Sequence, residues 1–489
     1  VMSFLKQLCF LSLVSLYKIN CDELPNFVFI LTDDQDIALG GMFPMKKTHS
    51  FLATYGAEFT NMFVTTPLCC PSRASILTGK YAHNHGVRNN SLHGNCNSKA
   101  WQKTHEQKSF ITQFKKHGYS TFYAGKYLNQ YGTAASGGVK HVPPGWDQWV
   151  ALVGNSCYYN YSLSVNGEEK THGSKPEQDY LTNVVFEEGL KFLHIQNGTS
   201  PFFMFLSPPA PHAPFTPFPP YKNKFSSFKA PRTPNFAIPG GQKKHWLIQQ
   251  PPTPLPKTVI DSIDDVFQNR WRTLLSVDDY IIDILQLLEN KNMSENTYII
   301  FSSDNGFHLG QFSLPWDKRQ LYDFDIRVPL FVSGPGINQG IKIDYPVLNI
   351  DLAPTFLDLA NIPLPKDFDG ESFAPLLRNQ NRKVNNRQSF IIEHQGEYSE
   401  KSVPGCPQYQ SGEVHTCEID CICEDSRNNT FSCLRHLTKS KNFILCIFKD
   451  DLNFGEAYNI LDDPFQLKNI YFSLNKSSIF NELKTILKF

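Results

Sequence analysis

No sign of charge predominates in this 489-residue chain, where 46 Lys and Arg stand against 46 Asp and Glu. The missing basic excess argues against a nucleic-acid binder, whose phosphate contacts need clustered cations. Long apolar runs are missing as well. Beyond the N-terminal stretch none reaches the ~18 residues of a membrane-spanning helix, so no membrane span is expected. Internal repeats are absent. Gly (29) and Pro (33) stay near ordinary usage, and 41% of residues are hydrophobic, which excludes collagen and disorder. The 12 cysteines are too few for a scaffold held by disulfides alone, yet many for a cytosolic enzyme.

What is present begins with a targeting pattern. Lys6, an apolar stretch around Leu8–Leu16 and a polar end at Asn20-Cys21 read as a signal peptide over residues 1–21. Six Asn-x-Ser/Thr triplets, at Asn89, Asn160, Asn197, Asn292, Asn428 and Asn475, fit a glycosylated protein on the secretory route. Six cysteines crowd the C-terminal part: Cys406, Cys417, Cys421, Cys423, Cys433 and Cys446. The Cys421-Ile422-Cys423 spacing is too tight for a zinc knuckle, so disulfides are expected, with 15 pairings open.

Four apolar segments end abruptly in polar residues. Asn26–Leu31 runs into Thr32-Asp33-Asp34, and Ser120–Ala124 into Gly125-Lys126. Pro201–Leu206 runs into Ser207 and then His212, and Thr297–Phe301 into Ser302-Ser303-Asp304-Asn305. Short continuous apolar runs of this kind read as buried central strands. Helical segments such as Phe186–Ile195 and Leu274–Leu288 fall between them, which argues for an α/β sheet covered by helices on both faces. In such sheets sites form beyond the carboxyl ends of the strands. One such end could be a helix cap or turn, whereas four together point to function. The Pro-rich stretch Phe215–Pro256, with several Lys, Arg and aromatic residues, reads as a substrate-side insertion or a surface excursion. A boundary is expected near Asn379, between a catalytic part (22–379) and a smaller disulfide-stapled α+β part (380–489).

The sharpest segment is Pro67-Leu68-Cys69-Cys70-Pro71-Ser72-Arg73-Ala74-Ser75-Ile76-Leu77-Thr78-Gly79-Lys80. It reads as a turn and a short helix, with Pro71 at the first helical position and Gly79 as left-handed cap. Cys69 then sits just before a helix N-terminus, where free N–H groups and the dipole favour an anion. Arg73 adds a fixed positive charge, and a Cys so placed is a nucleophile candidate.

At these residues the sequence resembles the type I, formylglycine-dependent sulfatases, whose signature is Cys-x-Pro-Ser-Arg followed by a Thr-Gly-basic turn. The resemblance implies an alkaline-phosphatase/sulfatase-like α/β fold and oxidation of Cys69 to formylglycine (3-oxoalanine) by the formylglycine-generating enzyme. It implies one divalent cation, Ca²⁺, on Asp33, Asp34, residue 69, Asp304 and Asn305, a hard-oxygen set of the expected kind. It also implies catalytic roles for Cys69, Arg73, Lys126, His212 and Lys318. Arg73 and Lys126 would hold the sulfate, while His212 and Lys318 would stabilise and protonate the leaving oxygen. One departure is Gly125-Lys126-Tyr127-Leu128, where many members have Gly-Lys-Trp-His; Asn129, His83 or His85 are the substitutes in view. His308 is a further candidate for substrate contact, and Asp317 for a base.

Leu31-Thr32-Asp33-Asp34-Gln35-Asp36, Cys69-Cys70-Pro71, Gly125-Lys126-Tyr127-Leu128-Asn129 and Lys244-His245-Trp246 narrow the likeness to glucosamine-6-sulfatases and extracellular heparan endosulfatases; Glu393-His394-Gln395-Gly396-Glu397, Asp420-Cys421-Ile422-Cys423-Glu424-Asp425 and the missing long basic insertion favour the former. That group implies a sulfated glycosaminoglycan (heparan or keratan sulfate) as substrate and a lysosomal or secreted protein. A homodimer is the oligomer to test for. The competing readings are a phosphatase or phosphonate hydrolase on the related fold, and a glycan-binding pseudoenzyme.

Overall fold

The computed structural model describes residues 24–239, 241, 243–249, 253–378, 387–397, 424–450 and 452–474. The expected signal peptide, the boundary at Asn379, Asn475 and Cys406, Cys417, Cys421 and Cys423 lie outside the described residues.

The Asn26–Thr32 strand is buried at every position. It therefore needs apolar cover on both faces. Five parallel strands form the centre of the sheet, in the order Thr297–Ser303, Asn26–Thr32, Phe202–Ser207, Ser120–Gly125 and Gln148–Leu152. The first four are the four segments singled out from the sequence. Shorter strands extend both edges to ten, and antiparallel pairs among them make the sheet mixed, as expected.

Successive side chains of a strand point to opposite faces. Val28, Ile30, Met204 and Leu206 meet the helices Leu181–Ile195 and Lys257–Asn290 through Val185, Phe192, Val277 and Ile281. Phe27, Phe29, Phe203 and Phe205 face the other way, against Ile76, Phe114 and Phe356. The parallel register sets Phe27 opposite Phe203, with rings stacked at 5.6 Å between centroids, and Phe29 opposite Phe205, with rings tilted at 4.6 Å. Among the described residues no helix is long and apolar enough to cross a membrane.

A second, antiparallel sheet follows, in the order Ser389–His394, Phe431–Leu437, Asn442–Phe448 and Gly455–Asn459. Cys433 stands directly opposite Cys446 and is bonded to it, with Cα atoms 4.0 Å apart. The end of the Pro-rich stretch is packed between this sheet and the loop segments that carry Phe312 and Tyr322. Lys244 inserts its ammonium among Phe312, Tyr322 and Tyr458, 3.9, 4.5 and 4.3 Å from the ring centroids. It donates to the Tyr458 hydroxyl and the Gln466 carbonyl. His245 stacks on Phe448 and pairs with Asp450 at 2.9 Å.

Of the glycosylation triplets, Asn160, Asn197 and Asn292 are exposed and Asn428 is half-buried. Asn89 is 7% exposed, and its Oδ1 accepts from the Ser91 amide and hydroxyl.

Candidate active site at the carboxyl edge of the parallel strands

Parallel pairing aligns the strand ends. Thr32 is opposite Ser303, so Asp33 and Asp34 leave the sheet beside Asp304 and Asn305. Gly125 is opposite Ser207, which brings Lys126 to the same edge. Gly125 has φ +111°, and a Cβ there would lie 2.0 Å from the Ser207 carbonyl oxygen, so only glycine fits. His212 follows on the loop beyond Ser207. Lys318 arrives from a hairpin pairing His308–Leu309 with Trp316–Asp317.

The Cys69–Thr78 helix closes the site from the other face. It begins two residues earlier than expected, so Cys69 is its first residue and Pro71 its third. Pro71 still falls where an amide would lack a helical partner. The Cys70 amide is capped by Asn90 Oδ1 at 3.0 Å, and Gly79, φ +65°, terminates the helix as expected. Cys70 is bonded to Cys96, leaving Cys69 a free thiol.

These elements bring the expected residues into contact. Lys126 Nζ lies 2.7 and 2.8 Å from the two carboxylate oxygens of Asp33. Lys318 Nζ donates to Asp34 Oδ2 at 2.8 Å. Arg73 is 2% exposed and ties three strand ends together. Its Nε donates to Asp304 Oδ2 (2.7 Å), and its Nη1 to the Lys126 carbonyl (2.9 Å) and to Ser207 Oγ (2.7 Å). Cys69 Sγ is 3.7 Å from Asp34 Oδ1, and Asn305 Nδ2 donates to that same oxygen at 2.8 Å. His212 Nδ1 donates to the Ala213 carbonyl at 2.7 Å. Nε2 is thereby turned toward Lys318 Nζ (3.5 Å) and Asp34 Oδ2 (3.7 Å).

Burial would raise the Asp33 carboxyl, yet Lys126, His212 and Arg73 hold it well below the usual range. Asp34 is likewise brought down to about 2, against its burial, by Lys318 and His212. Burial pushes Asp304 up to about 7, although Arg73 opposes it. It also pushes the Cys69 thiol well up, with Lys126 and Lys318 opposing. The thiol itself is therefore held in its neutral form, which makes it a poor nucleophile.

The oxygen-rich part of the cluster fits a divalent cation. Ligand atoms of Asp33, Asp34, Cys69 and His212 all lie within 4.8 Å of one another. Asn305 Oδ1 is buried without a hydrogen-bond partner, so one hard oxygen is unspent. Carboxylate and amide oxygens of this kind suit Ca²⁺ or Mg²⁺.

Other candidates fall elsewhere. Leu128 is buried. His85 bonds Ser75 Oγ at 3.0 Å, and His83 pairs with Glu393 at 2.8 Å; neither takes a place among the acidic residues. Asn129 is buried with its Oδ1 unpartnered. His308 is fully buried between Asp325 (3.0 Å) and Glu424 (3.2 Å), so it holds elements together instead of meeting a substrate. Asp317 is engaged by Arg319 and lies 3.8 Å from Lys318 Nζ. Two contributors went unread in the sequence. Ser156 donates to Asp33 Oδ2, and Arg270 holds Asp36 (3.0 Å) and the Asp34 carbonyl (2.7 Å). No local pattern marks either, because both act across more than a hundred residues.

Comparison with known proteins agrees with this geometry. The sulfatase family model matches residues 25–362. N-acetylglucosamine-6-sulfatase from Capra hircus is 49% identical over 453 residues, 92% of this chain and 80% of that protein. The Homo sapiens N-acetylglucosamine-6-sulfatase is 49% identical over 448 residues, 91% of this chain and 81% of that protein. Among solved structures, BT4656 in complex with its substrate D-glucosamine-2-N,6-O-disulfate superposes with a TM-score of 0.76 at 22% identity, covering 95% of this chain and 97% of that one. The chain belongs to the sulfatase family and is a sulfuric ester hydrolase.

Proposed function

We propose that the protein hydrolyses the 6-O-sulfate ester of N-acetylglucosamine units in glycosaminoglycans such as heparan and keratan sulfate. The observation that carries this reading is one contact network. In it Cys69, Arg73, Lys126, His212 and Lys318 surround Asp33, Asp34, Asp304 and Asn305. The 49% identical relatives named for that activity support the choice of sugar.

Asp33, Asp34, Asp304, Asn305 and residue 69 would hold Ca²⁺. Formylglycine at residue 69 and the cation supply an attacking oxygen and charge neutralisation that a buried thiol cannot. Formylglycine at residue 69 would also supply a means of releasing sulfate that a serine at that position lacks. Arg73 and Lys126 orient the sulfate and offset its charge. Lys318 Nζ and His212 Nε2, 3.5 Å apart, together stabilise and protonate the departing sugar oxygen. Arg270 and Ser156 position the acidic residues and stay out of the chemistry. Residues 22–379 carry these steps and 380–489 form the C-terminal part. The secretory pathway, the formylglycine-generating enzyme and delivery to the lysosome complete the reading.

The test is mass spectrometry of the reduced tryptic peptide Thr48–Arg73 together with sulfate release from 6-sulfated N-acetylglucosamine. An aldehyde in place of the Cys69 thiol, with turnover, is expected. Unmodified Cys69 in active protein made alongside the modifying enzyme, or dominant aryl phosphate hydrolysis, overturns it.

A further inference from the structure

A cleft of about 210 Å³ opens between the turn at 460–466 and the segments around Leu39, Asn235 and Asp323. It is smaller than the roughly 300–1,000 Å³ of a site for a drug-sized ligand, so its volume suits an ion and not a sugar chain. It lies apart from the catalytic cluster, yet its walls reach the loops that carry it. The Phe324 and Asp325 carbonyls hold the Phe307 and Gly306 amides at 2.9 and 2.8 Å, directly after Asn305. The Leu39 amide donates to Asp36 Oδ2 at 2.9 Å, two residues past Asp34.

Two polar atoms of the wall are unspent. Gln466 is 2% exposed, and its Oε1 accepts from the Asp323 amide at 2.9 Å, but its Nε2 is buried without a hydrogen-bond partner. Arg327 Nε is buried and unpartnered as well. The side-chain acceptors of the wall are spent. Asn235 Oδ1 takes the Thr233 hydroxyl (2.7 Å), Gln311 Oε1 takes the Leu309 amide (2.7 Å), and Asp323 takes two nitrogens of Arg435 (2.7 and 3.3 Å). Both unspent atoms are therefore donors. A buried donor left unpaired carries a desolvation cost, so what the cleft lacks is an acceptor. Charge gives the sign of that acceptor. Burial would raise the Asp323 carboxyl, yet Arg435 and Arg327 hold it below its usual range. One carboxylate thus stands against two guanidinium groups, and an anion restores the balance.

We propose that this cleft binds one small oxyanion, inorganic sulfate, which a sulfuric ester hydrolase releases at every turnover. Arg327 Nε and Gln466 Nε2 donate to its oxygens. The ion braces the 460–466 turn against the segment that supports Gly306 and Phe307. The proposal holds for any sulfate ester as substrate, so it does not depend on the sugar read by the active site.

The test soaks crystals of the full chain in selenate, an anomalously scattering analogue of sulfate. Selenium is expected in the cleft, beside both nitrogens. Equilibrium dialysis with labelled sulfate then compares the parent with two variants. Arg327→Met keeps an apolar stem and removes the charge. Gln466→Glu keeps the oxygen that holds the Asp323 amide and replaces the donor. Each should weaken one class of bound sulfate by about tenfold or more, the usual worth of a hydrogen bond to a charged group. Sulfate held at the catalytic cluster should be unchanged, because neither residue touches it in the contacts described. A cleft that holds ordered water alone, or folded variants that bind sulfate as the parent does, overturns the proposal. Selenate in the crystal with no such class in dialysis is binding at crystal concentration only, and overturns it too. Where neither variant folds, the selenate map and the dialysis of the parent decide. None of these readouts uses turnover, so failure of the active-site reading leaves them intact.

Discussion

Lys318 Nζ bridges Asp34 and His212, 2.8 Å from the carboxylate and 3.5 Å from the imidazole Nε2. One ammonium therefore joins a proposed cation ligand to the proposed proton donor. Charge on either partner is felt by the other, so the site is one electrostatic unit, and single substitutions within it should combine non-additively.

His212→Ala should lower turnover of a sugar sulfate by about a hundredfold, the usual worth of a general acid. An aryl sulfate with a stable leaving phenolate needs no proton, so its rate should fall far less. The check is the ratio of the two rates in the variant. Equal losses on both substrates would show that His212 acts otherwise.

Cys69→Ala should reduce turnover at least about a thousandfold, as removal of a covalent nucleophile does. Its melting temperature should stay near that of the parent, since a methyl replaces a small buried side chain. Cys69→Ser should instead halt after one turnover, with sulfate retained on residue 69. Intact-mass measurement after substrate addition reads that ester directly.

Chelation should abolish activity, and Ca²⁺ should restore it. A ligand that binds only the folded state also raises the melting temperature in proportion to the logarithm of its concentration. The same titration in an Asn305→Ala variant should be shifted to higher Ca²⁺. An unshifted titration would remove Asn305 from the ligand set.

His308 gives a pH dependence with a defined sign. Burial would lower its pKa, but Asp325 and Glu424 raise it to about 10. A group raised in the folded state contributes fully below its ordinary value of about 6.5 and loses that contribution as pH rises toward 10. The stability difference between the parent and His308→Asn, taken from urea titrations, should therefore shrink between those limits. A constant difference would contradict the buried ion pair.

Lys244→Met removes three ring contacts and three hydrogen bonds but preserves the apolar stem. A loss of about 2 kcal/mol is expected for a desolvated cation held among aromatic faces. Urea unfolding measures it. Activity per folded molecule should not change, because Lys244 touches no residue of the catalytic cluster in the contacts described.

Much of this architecture was legible in the sequence, for a physical reason. The Asn26–Thr32 and Phe202–Ser207 strands are buried on both faces, so they read as unbroken apolar runs, and each ends at the buried polar cluster of the site. Aspartate, lysine or asparagine at such an end has one direction to go. The start of the Cys69 helix was misplaced because Pro71 tolerates any of the first few helical positions. His308 and Lys244 misled for another reason. A charged residue in a polar stretch looks exposed until the partners that bury it, Glu424 for one and Tyr458 for the other, fold back from more than a hundred residues away.

The burial of Cys69 fixes an order of events in time. Its side chain has no exposed surface, it lies in the first turn of a helix, and its neighbour Cys70 is already tied to Cys96. On the proposed reading, an enzyme that rewrites this thiol would have to reach the segment before the helix forms and the sheet closes over it, and a molecule that folds with its sulfur in place would lack the proposed nucleophile.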